Sequence, residues 1–241
     1  APYLKNVSLE LGGKNPLMVF DDADPEFAAD LAIKGMNLNR QGQSCSSTSR
    51  VLVHKNLKDE FVKHLINKAK AIPIGLPWIE KNEIGPIVSK RQFDKVMEYI
   101  ASGKKEGAKL VLGGDNPTDP ELKNGFFVNP TIFIDVKPEM KIAKEEIFGP
   151  VISVLTWESY DELIKIANST LYGLTAMIVT NSLSNAMKTA EDVDSGYVWI
   201  NTCGRYSGAP YGGWKLSGLG VEECFEEMKS YARLKNINMK W

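Results

Sequence analysis

The sequence has few cysteines, no excess of charge of either sign and no long apolar run. Its 241 residues include 29 lysines and arginines against 30 aspartates and glutamates, so no overall charge favours nucleic acid or an anionic membrane. The longest apolar stretches, such as Val151–Trp157, are far shorter than the roughly 20 residues that a membrane-spanning helix needs. We therefore expect no nucleic-acid partner and no membrane partner, and a small molecule becomes the expected ligand.

The three cysteines, Cys45, Cys203 and Cys224, form no CxxC pair. An odd number without such pairs argues against a disulfide framework or a zinc site and is typical of a reducing compartment. The chain opens with Ala1-Pro2, and no charged segment followed by an apolar one indicates a secretory signal. We expect a cytoplasmic protein without a metal site, and we expect the chain to be a piece of a longer protein.

Apolar patterns of period two and of helical period alternate along most of the chain. They predict helices at 25–39, 57–71, 89–106, 160–168 and 183–193, and strands at 16–20, 50–54, 110–112, 131–135, 151–155, 175–179 and 197–201. This order predicts an α/β fold in three layers, a mostly parallel sheet flanked by helices. A short helix near Glu222 and a last strand at 233–239 come after the alternation has stopped, and we expect that strand to serve oligomerisation.

Cys45 lies in a small and polar loop, residues 39–48, between a predicted helix and a predicted strand. A cysteine reacts as its thiolate, and partial exposure beside amide dipoles lowers a thiol pKa. The alternative is a small hydrophobic residue of the core. The loop context alone does not decide between them.

Glu10 is flanked by Leu9 and Leu11 and is followed at once by Gly12 and Gly13. Apolar surroundings raise a carboxyl pKa toward neutrality, which a general base needs. The alternative is an ordinary solvated or salt-bridged glutamate.

Two segments that hold these residues resemble signatures of the aldehyde dehydrogenase superfamily. LELGGK at 9–14 is similar to its glutamate signature, and GQSC at 42–45 to its cysteine signature. Four more segments resemble other motifs of the family, in family order: EEIFGPV at 145–151, YGL at 172–174, WIN at 199–201 and PYGGWKLSG at 210–218. The resemblance runs from end to end, and retention of the glutamate indicates the hydrolytic, NAD(P)-dependent type.

The resemblance implies that Cys45 attacks an aldehyde, that hydride passes to NAD or NADP, and that water activated by Glu10 cleaves the thioester to a carboxylate. It implies cofactor contacts at Gly12, Gly13, Gln92, Lys95, Glu146 and Phe148, and substrate contacts at Asn201 and Tyr211. Plain structural roles stay open for these residues: a solvated Glu146, a core Phe148, an exposed helix face at Gln92 and Lys95, and packing at Tyr211.

Members of the superfamily carry a dinucleotide-binding domain ahead of the glutamate signature, whereas nine residues precede Glu10 here. We therefore interpret 1–225 as the catalytic domain, its first residues linking it to a missing cofactor domain, and 226–241 as an oligomerisation segment. The expected partners are an aldehyde and a second copy of the chain or a partner with the cofactor domain. Alternatives are a non-enzymatic assembly fragment and a cofactor-free esterase.

Overall fold

A computed structural model of the protein describes residues 4–241. Within this range no helix is both long and apolar enough to cross a membrane. The strands are β1 (Leu9–Glu10), β2 (Pro16–Val19), β3 (Arg50–His54), β4 (Lys109–Leu112), β5 (Thr131–Ile134), β6 (Val151–Trp157), β7 (Tyr172–Gly173), β8 (Thr175–Val179), β9 (Tyr197–Ile200), β10 (Trp214–Lys215) and β11 (Gly218–Leu219). The α-helices are α1 (Pro25–Gly35), α2 (Lys58–Lys70), α3 (Lys90–Lys105), α4 (Lys141–Lys144), α5 (Tyr160–Ala167), α6 (Leu183–Asp192) and α7 (Phe225–Ser230).

Seven strands form the main sheet in the order β4-β5-β6-β3-β2-β8-β9. All neighbouring pairs are parallel except β4 and β5. Two small antiparallel pairs, β1 with β11 and β7 with β10, join the early and late parts of the chain. The predicted α/β fold with a mostly parallel sheet is confirmed.

Successive side chains of the central strands enter two separate cores, one on each face of the sheet. Leu17 and Val19 of β2 pack with α1 and α2, whereas Met18 between them packs with α3 and α5 on the opposite face. Every residue of β2 is buried, because a parallel strand covered by helices on both faces has no solvent side. The three predicted layers are therefore present.

Two helix boundaries differ from the sequence prediction. The first helix ends at Gly35 rather than 39, because Asn37 adopts a left-handed conformation with φ 54° and residues 38–40 form a 3₁₀ turn. The helix predicted near Glu222 forms at Phe225–Ser230. The loop before Cys45 is correspondingly longer than predicted.

The predicted strand at 233–239 is wrong for this single chain. Residues 233–241 belong to no helix or strand, and Leu234 and Trp241 are fully exposed. An extended segment becomes a strand only when a neighbouring edge accepts its backbone hydrogen bonds, and no strand among residues 4–241 lies beside it.

Candidate active site

Most of the predicted site residues, with the exception of Asn201, lie at one edge of the main sheet, where parallel strands begin. Residues 10–15 lead into β2, residues 41–49 into β3 and residues 145–150 into β6. Ligands of open α/β sheets usually bind outside the carboxyl ends of the strands, and this is the opposite edge. The fold thus brings Glu10, Cys45 and Glu146 together, although up to 136 residues separate them in the chain.

Asn15 fixes the loop that carries Cys45. Its buried side-chain amide donates to the carbonyl oxygens of Cys45 at 2.7 Å and Ser47 at 2.8 Å, and its oxygen accepts from the Thr175 N–H at 3.0 Å. All three bonds join separate segments, so Asn15 ties the nucleophile loop to β2 and β8. The sequence analysis missed this residue, since its only signal was its place after the glutamate signature.

Glu10 lies in β1, which pairs with β11 near the C-terminal part of the chain. Burial raises the pKa of the Glu10 carboxyl, and the charge of Glu222 raises it further. Arg205 acts in the opposite direction. A carboxyl whose pKa is raised toward neutrality can accept a proton from water, as expected of a general base.

The Cys45 thiol is half-buried, and its pKa is raised rather than lowered. Burial is the main cause and the negative charge of Glu10 is the next, while Tyr211 and Arg205 lower the value. Desolvation thus outweighs the polar surroundings of the loop, which would lower the pKa of an exposed thiol. A neutral thiol needs a base or a nearby positive charge to react.

Tyr211 lies against Cys45. Its hydroxyl is buried without a hydrogen bond of normal geometry among the described residues, yet it is close enough to Cys45 that each group shifts the pKa of the other. The Arg205 guanidinium carbon lies 3.7 Å from the centre of the Tyr211 ring. A substrate contact at Tyr211 stays a prediction, and Arg205 is an additional residue of this group that the sequence analysis missed.

Gly12 and Gly13 lie beside the Glu146 carboxylate, in a second part of the site. The Gly13 N–H donates to the Glu146 carboxylate at 2.9 Å. A Cβ atom at Gly12 would lie 2.7 Å from the same carboxylate. One at Gly13 would lie 2.2 Å from the Cys45 carbonyl oxygen. Both glycines are thus needed for packing within the chain, and their contact with a cofactor stays a prediction.

Gln92 and Lys95 of α3 lie beside this group. The Gln92 amide donates to the carbonyl oxygens of Ile147 and Phe148, each at 2.9 Å. It thereby holds Phe148, whose φ of 57° is unusual for a bulky residue. Lys95 is half-buried, with its ammonium 5.7 Å from the centre of the Tyr99 ring. Gly12 and Gly13 thus contact Glu146, and Gln92 contacts Phe148, whereas Lys95 is linked to them only by its place on α3; the cofactor contacts stay a prediction.

Asn201 has a different place. Its amide donates to the Thr180 carbonyl at 2.8 Å and its oxygen accepts from the Thr180 N–H at 3.1 Å, so the side chain braces the end of β8. One N–H and one lone pair of this exposed amide are left, and a substrate contact at Asn201 stays a prediction.

Two buried cations lie behind the site. Arg50 donates to three backbone carbonyls, of Lys14, Ile166 and Ala167, and burial lowers its pKa to about 10. The Lys14 ammonium has no hydrogen bond among the described residues, and burial together with Arg50 lowers its pKa to about 7. Among residues 4–241 no group of three or more metal-ligating side chains could hold a metal ion.

Comparison with known proteins identifies the family. The sequence model of the aldehyde dehydrogenase family matches residues 1–237. The chain belongs to this family. It is 45% identical to aldehyde dehydrogenase tropH of Talaromyces stipitatus, with 98% of this chain and 47% of the relative covered. It is 47% identical to human retinaldehyde dehydrogenase 3, with 98% and 46% covered. The chain thus spans about half the length of these relatives.

Solved structures agree with this assignment. The betaine aldehyde dehydrogenase of Staphylococcus aureus in complex with NAD⁺ has a TM-score of 0.90 and 40% identity, with 94% of this chain and 45% of that chain covered. An NAD⁺ complex of aldehyde dehydrogenase from Bacillus cereus has a TM-score of 0.90 and 41% identity, with 96% and 46% covered. The fold of this chain is therefore the fold of slightly less than half of each of these two structures.

Proposed function

We propose that this chain is the catalytic part of an enzyme that oxidises an aldehyde to a carboxylate with NAD or NADP. The observation that carries the proposal is that Cys45 and Glu10 lie at the same edge of the sheet, close enough that the charge of Glu10 raises the pKa of the Cys45 thiol. Membership of the aldehyde dehydrogenase family supports the reaction class.

Cys45 is the proposed nucleophile. Its sulfur attacks the carbonyl carbon of the aldehyde and forms a thiohemiacetal, whose oxygen carries the negative charge. The backbone N–H of Cys45 makes no hydrogen bond within residues 4–241, so it is free to donate to that oxygen. Arg205 and the Tyr211 hydroxyl favour the thiolate form.

Glu10 is the proposed base of the second half of the reaction. Loss of hydride turns the thiohemiacetal into a thioester, which water must cleave. Glu10 takes a proton from that water, the oxygen of the water bonds to the carbonyl carbon, and the carbon–sulfur bond breaks to release the carboxylate and the Cys45 thiol. The raised pKa of Glu10 suits this task.

Glu146, Gln92, Lys95 and Phe148 are the residues that would hold the nicotinamide part of the cofactor. Their chemistry fits: a half-buried carboxylate can accept hydrogen bonds from ribose hydroxyls, and the Phe148 ring offers an apolar surface. When bound there, NAD(P)⁺ would accept the hydride. The rest of a cofactor-binding fold would come from another part of the protein or from a partner.

We also propose the division into a catalytic domain at 1–225 and an oligomerisation segment at 226–241. The exposed apolar side chains of that segment, such as Leu234, Ile237 and Trp241, support pairing with a second copy.

The test is aldehyde-dependent NADH or NADPH formation by the protein that contains this chain. We expect Cys45→Ala to lower turnover by at least about a thousandfold, since the reaction loses its covalent step. Cys224→Ala is the matched control and should retain activity, since Cys224 is also a free, half-buried cysteine. Hydrolysis of a nitrophenyl ester without cofactor, lost in Cys45→Ala, would test the acyl half alone. Aldehyde oxidation that survives in Cys45→Ala would contradict the proposal.

A further inference from the structure

A cleft of about 300 Å³ opens between the C-terminal end of α1, strand β8 and the segment after β9. Its lining includes three cationic side chains, Lys34, Arg40 and Arg205, and none of the residues that line it is acidic. We call it the cationic cleft. Overall the chain is nearly neutral, with a formal charge of −1, so this concentration of positive charge is local.

The cationic cleft adjoins the proposed nucleophile. Ser46, the residue after Cys45, lines it together with Trp199 and Cys203. Arg205 reaches both places, since it lines the cleft, stacks on the Tyr211 ring and lowers the pKa of Cys45. A molecule whose aldehyde carbon is at Cys45 can therefore extend toward these cations.

Most of this positive charge is unneutralised. Lys34 and Arg40 form no ion pair within residues 4–241. Arg205 is paired with Glu223 through one of its terminal nitrogens, which leaves other donors of the guanidinium free. On the Lys34 side, Glu83 lines an adjoining cleft together with that lysine, and Asp30 precedes it by four residues on α1, where it pairs with Lys68.

Backbone acceptors at the end of α1 do not cancel this charge. The Gly35 carbonyl accepts from the Thr48 N–H at 2.9 Å, and the Met36 carbonyl accepts from the Ser47 hydroxyl at 2.9 Å. These oxygens are therefore occupied. Gly35 allows the end of α1 to pack closely against Thr48, since a Cβ atom at position 35 would lie 2.5 Å from the Thr48 hydroxyl.

We propose that the cationic cleft binds a carboxylate at the far end of the substrate, so that the preferred substrates are aldehydes that carry a second, anionic group. This inference rests on the proposed function and names its substrate class. The same charges disfavour a cationic aldehyde, although betaine aldehyde dehydrogenases are among the proteins with the same fold. Three cations in one cleft attract an anion by summed Coulomb fields and offer several charge-assisted hydrogen bonds.

The experiment compares kcat/KM for matched aldehydes in the protein that contains this chain. We expect 4-oxobutanoate and 5-oxopentanoate to exceed butanal, pentanal and methyl 4-oxobutanoate by about ten- to a hundredfold, the range of one charge-assisted hydrogen bond. Betaine aldehyde should be the poorest. Glyceraldehyde 3-phosphate separates the two kinds of anion, and a preference for it over the carboxylates would overturn the carboxylate assignment.

Substitutions at Arg40 and Lys34 test whether the cationic cleft causes the preference for carboxylated aldehydes. Arg40→Gln and Lys34→Gln should each reduce the ratio of the kcat/KM values for 4-oxobutanoate and butanal by several-fold, and Arg40→Lys should retain most of it. Lys63→Gln, an equal loss of charge at an exposed position of α2, is the control and should leave the ratio unchanged. Equal ratios in Arg40→Gln, Lys34→Gln and Lys63→Gln would overturn the assignment of the cleft.

A second readout needs neither cofactor nor turnover. Iodoacetate and iodoacetamide alkylate Cys45 with nearly the same size but a different charge, so Arg40→Gln should slow the iodoacetate reaction more than the iodoacetamide reaction. Oxidation of neutral and carboxylated aldehydes at the same efficiency would overturn this inference alone. A failure to oxidise any aldehyde, with no acylation of Cys45, would overturn the proposed function and the inference together.

Discussion

The two sides of the site that meet at Gly12 and Gly13 are built differently. On the Glu146 side, hydrogen bonds from Gly13 and from Gln92 fix the carboxylate and the backbone of Phe148. On the Cys45 side, the Cys45 thiol and the Tyr211 hydroxyl have no hydrogen bond of normal geometry and interact mainly through charge.

We infer that the two sides have different roles in the site. Hydrogen bonds at 2.9 Å hold the Glu146 side in one geometry, as a surface that positions a cofactor must be held. Charges at the Cys45 side act in opposite directions on one thiol, so small changes there alter its protonation. Substitutions on the first side should therefore change stability, and those on the second should change pH dependence.

The largest effect is expected where the two sides touch. Gly13→Ala would place a methyl group against the Cys45 carbonyl oxygen, a backbone atom that cannot move alone. We expect a loss of roughly 1–3 kcal/mol in the free energy of unfolding, typical of overpacking, measured by urea denaturation. Gly204→Ala, which meets nothing closer than 3.8 Å, is the control. Equal stability of the two variants would contradict the close contact.

A smaller loss is expected on the Glu146 side. Gln92→Ala removes both hydrogen bonds to the carbonyls of Ile147 and Phe148, each worth about 0.5–1.5 kcal/mol. Because both bonds come from one side-chain nitrogen, the free energy of unfolding should fall by about 0.5–1.5 kcal/mol in total. KM for NAD(P)⁺ should rise, and the alkylation rate of Cys45 should not change. Arg91→Ala, at the exposed neighbouring position, serves as control. A changed alkylation rate of Cys45 together with an unchanged free energy of unfolding would contradict the proposed difference between the two sides of the site.

The smallest effect is expected on the Cys45 side. Removing the Glu10 charge in Glu10→Gln lowers the pKa of Cys45, so more thiolate is present at any pH below that pKa. Alkylation by iodoacetamide should accelerate by about two- to tenfold, since one pKa unit is a tenfold change in thiolate. Tyr211→Phe should slow it, because the hydroxyl lowers the same pKa.

The pH profile of alkylation checks both variants, with the rate at Cys224 as internal control. Profiles that stay superimposed on that of the unmodified protein would show that charge does not govern this side of the site.

Most of the fold could be predicted from the sequence because its signals are local. The strand Thr175–Val179 has the predicted bounds, and the central strands carry continuous apolar side chains that only a doubly covered sheet explains. The exception, residues 233–239, needs a pairing edge outside this chain, which no local pattern can supply.

The site could be predicted only in part. The motifs pointed to Cys45, Glu10 and the Glu146 cluster. Asn15, Arg205 and Glu222 were missed, because their role depends on contacts across up to 212 positions of sequence that no spacing rule describes. The direction of the Cys45 pKa shift could not be predicted for the same reason, since burial is a property of the folded chain.

The central claim is that Cys45 carries an acyl group which Glu10 helps to remove. Intact-protein and peptide mass spectrometry of Glu10→Gln, mixed with an aldehyde and NAD(P)⁺, tests it most directly. The account predicts a mass increase equal to the acyl group on the Cys45 peptide of Glu10→Gln, absent from Cys45→Ala and short-lived in the unmodified protein. An adduct on another residue, or rapid turnover in Glu10→Gln without any adduct, would contradict it.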